Sequence, residues 1–180
     1  MKHRSPPKIG IDIGRVIIGP VIGGKADTSF LGGTLEKALE TPPSPNAFES
    51  IAKLVELFGG NAWLVSKCGP NVQQKTKAWL RHWNFHGITG LPEGNVRFCL
   101  ERPQKAHHCK QLKLTHFIDD RLDVLQHLKD LVPNLYLFGE QPKLELIPDW
   151  VIHVESWQKT VDAIGSSPGS IAASDLTINH

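Results

Sequence analysis

HFIDDRLDVL, residues 116–125, puts three signals into one short stretch. His116 to Ile118, with Thr115 before them, form a brief run of the kind that buried strands show. Leu122, Leu125, Leu128 and Val132 then fall at helical spacing until Pro133, which a helix interior does not accept. Between the two lie Asp119 and Asp120, where a strand gives way to a helix. Acids at such a junction are ordinarily caps, because the first turn of a helix favours negative charge. They carry more weight if other strands end in the same way.

Other strands do. Short apolar runs bounded by Gly, Pro, Asn or charge predict strands over 8–13, 61–66, 95–100, 134–138 and 150–154. Ala47, Ile51, Leu54, Val55 and Phe58 make one helical stripe, and Val72, Thr76, Trp79, Leu80 and Trp83 repeat its spacing. Gly59-Gly60 supplies a stop for the first. Shorter helices are predicted over 104–112 and 155–164. Strands alternating with helices imply right-handed βαβ units and a mainly parallel sheet covered on both faces. The expected fold class is therefore α/β, a Rossmann-like three-layer sandwich. Residues 1–164 read as a single domain, and the small, polar stretch 165–180 reads as a disordered tail.

In sheets of this kind ligands bind at the carboxyl ends of the strands. The first predicted strand ends at Asp12, the second at Ser66-Lys67, and the one in the opening stretch at Asp119-Asp120. Lys105 opens the helix before that last strand. Each residue alone has an ordinary explanation as a turn, a cap or a solvated lysine. Together they bring three carboxylates, a hydroxyl and an ammonium to one edge. Clustered carboxylates repel unless a cation relieves them, and hard oxygen ligands suit Mg²⁺. A lysine and a hydroxyl beside them suit phosphate oxygens.

The pattern resembles the haloacid dehalogenase (HAD) superfamily. GIDIGRVI matches its first motif with Asp12 as nucleophile, AWLVS supplies Ser66, ERPQKAHHC supplies Lys105, and HFIDDRLDVL supplies the acid pair. Lys110 is the second choice for the lysine. The resemblance covers about residues 8 to 164. It implies a Mg²⁺-dependent phosphatase working through an aspartyl-phosphate on Asp12. The metal would lie among Asp12, the Gly14 carbonyl, Asp119 and Asp120. Ser66, Lys67 and Lys105 would bind the phosphate, with Lys105 also catalytic.

One departure matters. Phosphatases of this superfamily carry a second aspartate two residues after the nucleophile, as general acid and base, and here that position is Gly14. General acid–base catalysis is typically worth about 10²–10⁴-fold. Three outcomes follow: a slow phosphatase, an enzyme whose leaving groups need no protonation, or a silent module that binds a phosphorylated ligand or nucleotide. Residues 15–45 are rich in Gly and Pro and leave room for a small β-flap and a short helix near 34–39, not a large cap. An open site is compatible with a macromolecular or nucleotide substrate, or with a roof supplied by a partner; the resemblance implies a phosphorylated small molecule or a nucleotide as ligand.

Composition bounds the rest. With 20 basic and 18 acidic residues in 180, bulk charge does not make this a coat for nucleic acid or membranes. Lys75, Lys77, Arg81 and His82 fall on one helix face, so a local nucleic-acid surface stays open as a third reading. No run is long enough to span a bilayer, and three cysteines without a CxxC pair suggest a reducing, cytoplasmic setting. Gly19 to Lys25 nearly matches a phosphate-binding loop, but Ala26 stands where a hydroxyl is needed. His107, His108, Cys109 and His116 match no standard zinc spacing. Cys68 lacks an assignable base, and Trp63, Trp79 and Trp83 read as core.

Overall fold

The computed structural model describes residues 5–19, 21–22, 25–26 and 33–166. In chain order the elements are β1 (Ile9–Ile11), β2 (Val21–Ile22), β3 (Lys25–Ala26), α1 (Leu35–Glu40), α2 (Ala47–Leu57) and β4 (Ala62–Lys67). Then follow α3 (Pro70–His82), α4 (Phe85–Thr89), β5 (Val96–Cys99), α5 (Gln104–Leu112), β6 (His116–Asp119) and α6 (Leu122–Gln126). The last are β7 (Asn134–Phe138), β8 (Ile152–Val154) and α7 (Trp157–Gly165).

Six strands form one sheet in the order β5-β4-β1-β6-β7-β8, and every pairing in it is parallel. All six predicted strands are present, in a Rossmann-like α/β fold. Alternate strand residues serve the two faces. Ile118, Tyr136 and Phe138 join Ile9, Ile11 and Leu64 in a core with α2, α3 and α7. Phe117, Leu135 and Leu137 join Val65, Cys109, Leu125 and Leu128 in a core with α5 and α6. Burial on both faces explains why these strands read as nearly continuous apolar runs. Gly10 sits where β1 meets the second core: a Cβ there would lie 2.6 Å from Leu114 and Phe117 side-chain carbons, so only glycine lets them close over the strand.

The register sets the site. Ile11 pairs with Leu64 on one side and Ile118 on the other, so the next residues, Asp12 and Asp119, reach the carboxyl edge of the sheet at the same level. The Asp12 amide donates to the Ile118 carbonyl at 2.9 Å. From β1 the chain first moves outward through β4 to β5, then returns past β1 to β6. Asp12 and Asp119 therefore flank the switch point, where strand order reverses and crossovers leave a crevice.

The excursion after β1 is small, as predicted. Among the described residues it holds the antiparallel pair β2–β3 and the short helix α1, and no large cap. Three indole N–H groups tie it down. Trp79 donates to the Thr41 carbonyl at 2.7 Å, Trp83 to Leu39 at 3.0 Å and Trp157 to Val16 at 2.9 Å. Each ring fills apolar space while its polar edge holds the loop.

One helix differs from the periodicity. The period through Val132 is realised as helix only to Gln126, and Leu128 and Val132 reach the core from the turns that follow. The stripe from Val72 to Trp83 is realised as α3, which ends at Trp83 before Asn84 in the left-handed region (φ 51°) and the short helix α4. The final helix runs through Gly165, one residue into the stretch read as a tail, whose remainder from 167 lies outside the described residues.

Candidate active site

The sheet edge brings Asp12, Ser66, Lys105, Asp119 and Asp120 together from four separate segments. The Lys105 ammonium is the hub. It donates to Asp12 Oδ1 at 2.8 Å and to Asp119 Oδ2 at 2.7 Å, and the residue is 2% exposed. Its place depends on local closure of the loop before α5. Gln104 Oε1 accepts from the amides of Leu100 and Glu101, which turns the chain into the helix one residue before Lys105.

The two adjacent acids have different surroundings. Asp119 is fully buried, and both its oxygens are engaged, Oδ2 by Lys105 and Oδ1 by the Arg121 amide at 3.0 Å. The expected cap is not formed: the N-cap of α6 is Arg121, without a side-chain capping bond, and Asp119 instead closes the turn before the helix while fixing Lys105. Asp120 instead lines a cleft of about 420 Å³, together with Asp12, Gly14 and Ser66. Its Oδ2 lies 2.9 Å from an Arg15 guanidinium nitrogen. Asp12 Oδ2 takes none of the hydrogen bonds found among the described residues, so one oxygen of this carboxylate remains for chemistry.

Beyond the residues read from the sequence, the cleft is lined by Arg15, Arg102 and Arg121. With Lys67 and Lys105 they outnumber the two carboxylates on its wall, a field suited to a multiply charged anion. Arg15, Arg102 and Arg121 lie inside the quoted motif stretches, but their roles were not read, because an arginine beside a strand end is ordinarily a solvated surface residue. Arg15 carried one usable signal, its position directly after the Gly14 turn; it adopts the left-handed region at φ 60°.

Burial and mutual repulsion act on the acids of the cluster. Burial raises the Asp120 carboxyl to about 6, with a further push from Asp12 that Arg15 only partly offsets. Asp119 is also held above the ordinary carboxylate range, first by burial and then by Asp12, against the pull of Lys105. Burial by itself would depress Lys105, yet Asp12 and Asp119 outweigh it and keep the ammonium charged. Ligand oxygens of Asp12, Asp119 and Asp120 lie within 4.8 Å of one another. Three hard oxygen donors this close fit a divalent metal.

That reading has a measurable consequence. A carboxyl with a raised folded pKa binds a proton in the folded state that the unfolded state has released, so stability falls as pH rises from about 4 through 6. A divalent cation competes with that proton. Mg²⁺ should therefore raise the melting temperature more at pH 8 than at pH 5, as read by a thermal-shift titration. Equal shifts at both pH values would argue against binding at these acids.

The other candidates do not assemble. Among the described residues the three aspartates form the one His/Cys/Asp/Glu group close enough to share an ion, and His107, His108, Cys109 and His116 do not join a second. Cys68 lines the cleft, but burial and then the nearby Asp12 push its thiol up to about 11, the opposite of an activated thiolate. Trp79 is buried, and Trp63 and Trp83 are half-buried. Lys110 is exposed and away from the cleft wall, so Lys105 is the lysine of the cluster. Part of the stretch resembling a phosphate-binding loop, including Gly23 and Gly24, lies outside the described residues.

No protein-family profile matches the sequence, and no curated protein does. Solved structures do match. A HAD-superfamily hydrolase from Ehrlichia chaffeensis aligns over 88% of this chain and 95% of its own, with a TM-score of 0.57 at 10% identity. A haloacid dehalogenase-like family hydrolase from Xanthomonas campestris aligns over 88% of this chain and 94% of its own, with a TM-score of 0.59 at 9% identity. The chain therefore has a HAD-like fold. No helix among the described residues is long and apolar enough to cross a membrane.

Proposed function

We propose that the protein is a Mg²⁺-dependent phosphohydrolase acting on a phosphomonoester through an aspartyl-phosphate on Asp12. The observation that carries this reading is the buried Lys105 bridge, which fixes one oxygen of Asp12 and leaves the other at a cation-lined cleft. Asp12 attacks phosphorus in line, and the bond to the leaving oxygen breaks with its electron pair on that oxygen. Lys105, Ser66 and Lys67 bind the non-bridging oxygens. Asp119 serves by holding Lys105. Asp12, the Gly14 carbonyl and Asp120 would hold Mg²⁺, which supplies neutralisation of the phosphoryl charge when bound. Water then attacks phosphorus and releases phosphate, restoring Asp12. The described part of 15–45 acts as the flap of this single domain, and 20, 23–24 and 27–32 lie outside the described residues. A small phosphorylated molecule or a nucleotide is the substrate class, and free, buried Cys68, Cys99 and Cys109 support a cytoplasmic setting.

Gly14 supports a second reading, a HAD-like module that binds a phosphorylated ligand and turns over little or nothing. The two separate cleanly. A Cβ at position 14 would meet nothing within 4 Å, and its backbone is not in the left-handed region, so an aspartate fits there. Gly14→Asp should raise kcat on alkyl phosphates by about 10²–10⁴-fold, the usual worth of a general acid. The check is a Mg²⁺ assay of both proteins across nucleotides, sugar phosphates and phosphopeptides. Silence from both, with phosphate ligands raising the melting temperature, would leave the binding module standing.

A further inference from the structure

Part of the cleft wall carries no charge. Besides Ser66, Lys67 and Lys105, the cleft is lined by Ile18, Gly19, Thr41, Val72 and Thr76, which come from three segments locked together. The Gly19 amide donates to the Pro42 carbonyl at 3.2 Å, and Ile18 bridges to Pro43, so the loop after β1 lies along the segment that follows α1. The Trp79 indole donates to the Thr41 carbonyl at 2.7 Å and fixes that segment to α3. Val72, Thr76 and Trp79 fall on one face of α3.

Two observations on this wall point to a ligand. Val72 is only half-buried while Ile18 and Thr41 are buried, so an apolar side chain faces the open space of a cleft of about 420 Å³. A volume of that order accommodates a small organic group beside a phosphate. Thr76 is 3% exposed, yet its hydroxyl takes none of the hydrogen bonds found among the described residues, and its oxygen is not sealed from the cleft. A buried hydroxyl without a partner gains when a polar atom of a ligand reaches it.

The chemistry beside this wall narrows the ligand. Unless an acid protonates it, the leaving oxygen of an alkyl phosphate departs as an alkoxide, about as basic as the hydroxide of water, whose pKa is about 15.7. Among the described residues no such acid is at hand. Gly14 has no side chain, no histidine lines the cleft, Asp12 is the nucleophile, and Asp120 is held by Arg15 at 2.9 Å. A phenol has a pKa of about 10, so a phenolate leaves with far less help. An uncharged, partly apolar wall also suits the ring that such a leaving group carries.

We propose that this wall is the leaving-group subsite and that it takes phosphate esters of aromatic alcohols, the aryl phosphates. This rests on the phosphohydrolase reading above. Asp12 forms the bond to phosphorus, and the P–O bond breaks with its electron pair on the phenolic oxygen. The phenolate takes its proton from solvent, and water then releases phosphate from Asp12.

The test uses the full chain with Mg²⁺. Phenyl phosphate should exceed cyclohexyl phosphate, a ring of like size, in kcat by about 10²-fold or more, and Gly14→Asp should narrow that gap by raising cyclohexyl turnover. A tyrosine-phosphorylated peptide presents the same group from a polypeptide. Whichever of it and phenyl phosphate is preferred names the source, and either one above cyclohexyl phosphate supports the assignment. Calorimetry reads the wall separately: phenylphosphonate should bind about tenfold or more tighter than methylphosphonate, and Val72→Asn should remove that preference while leaving methylphosphonate affinity in place. Asp12-dependent turnover that is equal for phenyl and cyclohexyl phosphate would overturn the aryl assignment and keep the phosphohydrolase. No turnover of any ester, with the phosphonate preference present and lost in Val72→Asn, would keep the subsite and remove the phosphohydrolase. Equal binding of the two phosphonates, or a preference that Val72→Asn leaves intact, would overturn the subsite.

Discussion

Asp12→Asn is expected to lower kcat by roughly 10³–10⁶-fold, the range for loss of a covalent nucleophile. The substitution is conservative where structure is concerned. Asparagine keeps an Oδ1 to accept the bond from Lys105, now 2.8 Å long, and it occupies the same buried space. It also removes one of three crowded carboxylates, so Asp119 and Asp120 lose a repelling neighbour. The melting temperature should therefore hold or rise slightly while activity disappears. Steady-state kinetics and calorimetry on the same preparation check both halves. Equal turnover by the two proteins would remove Asp12 as nucleophile. Lost activity with a lost fold would mark a structural role.

Lys105→Met is expected to have the largest effect on stability. Methionine fills the volume beside Phe117 but leaves Asp12 and Asp119 facing each other in a buried space without the cation that bridges them. Removing one partner of a buried ionic network costs about 3–5 kcal/mol. In a domain of this size that lowers the melting temperature by roughly 6–20 °C. The loss should depend on pH. Without the ammonium, the folded pKa of Asp119 rises further above its unfolded value, so the variant is least disadvantaged in acid and loses ground as pH rises. Denaturation at pH 5 and pH 8 should show the wider gap from the wild type at pH 8. A gap that is the same at both would mean that packing, not charge, is what Lys105 contributes. Phosphatase activity should be lost at either pH.

Much of this was legible in the chain itself. The six strands announced themselves as short apolar runs because a parallel sheet buried on both faces leaves little room for polar residues along it. Asp12, Ser66 and Asp119-Asp120 could be found because each directly ends such a run, and strand ends are where the backbone delivers side chains to the crevice. Lys105 was findable by its place in a sequential pattern. The helix expected through Val132 stops at Gln126 because Leu128 and Val132 keep helical spacing while being buried from turns, and spacing records burial rather than hydrogen bonding.

What the sequence by itself determined was the α/β architecture, the order of the strand-end residues and the glycine two places after Asp12. Those follow from local pattern, in which neighbours along the chain share one environment. Only the tertiary structure decided how the adjacent acids divide their work, Asp119 inward to Lys105 and Asp120 outward to the cleft and Arg15. It alone brought Ile18, Thr41 and Thr76 beside the site. Side chains of successive residues at the end of a strand point to opposite sides, and groups far apart along the chain meet only when the crossovers close.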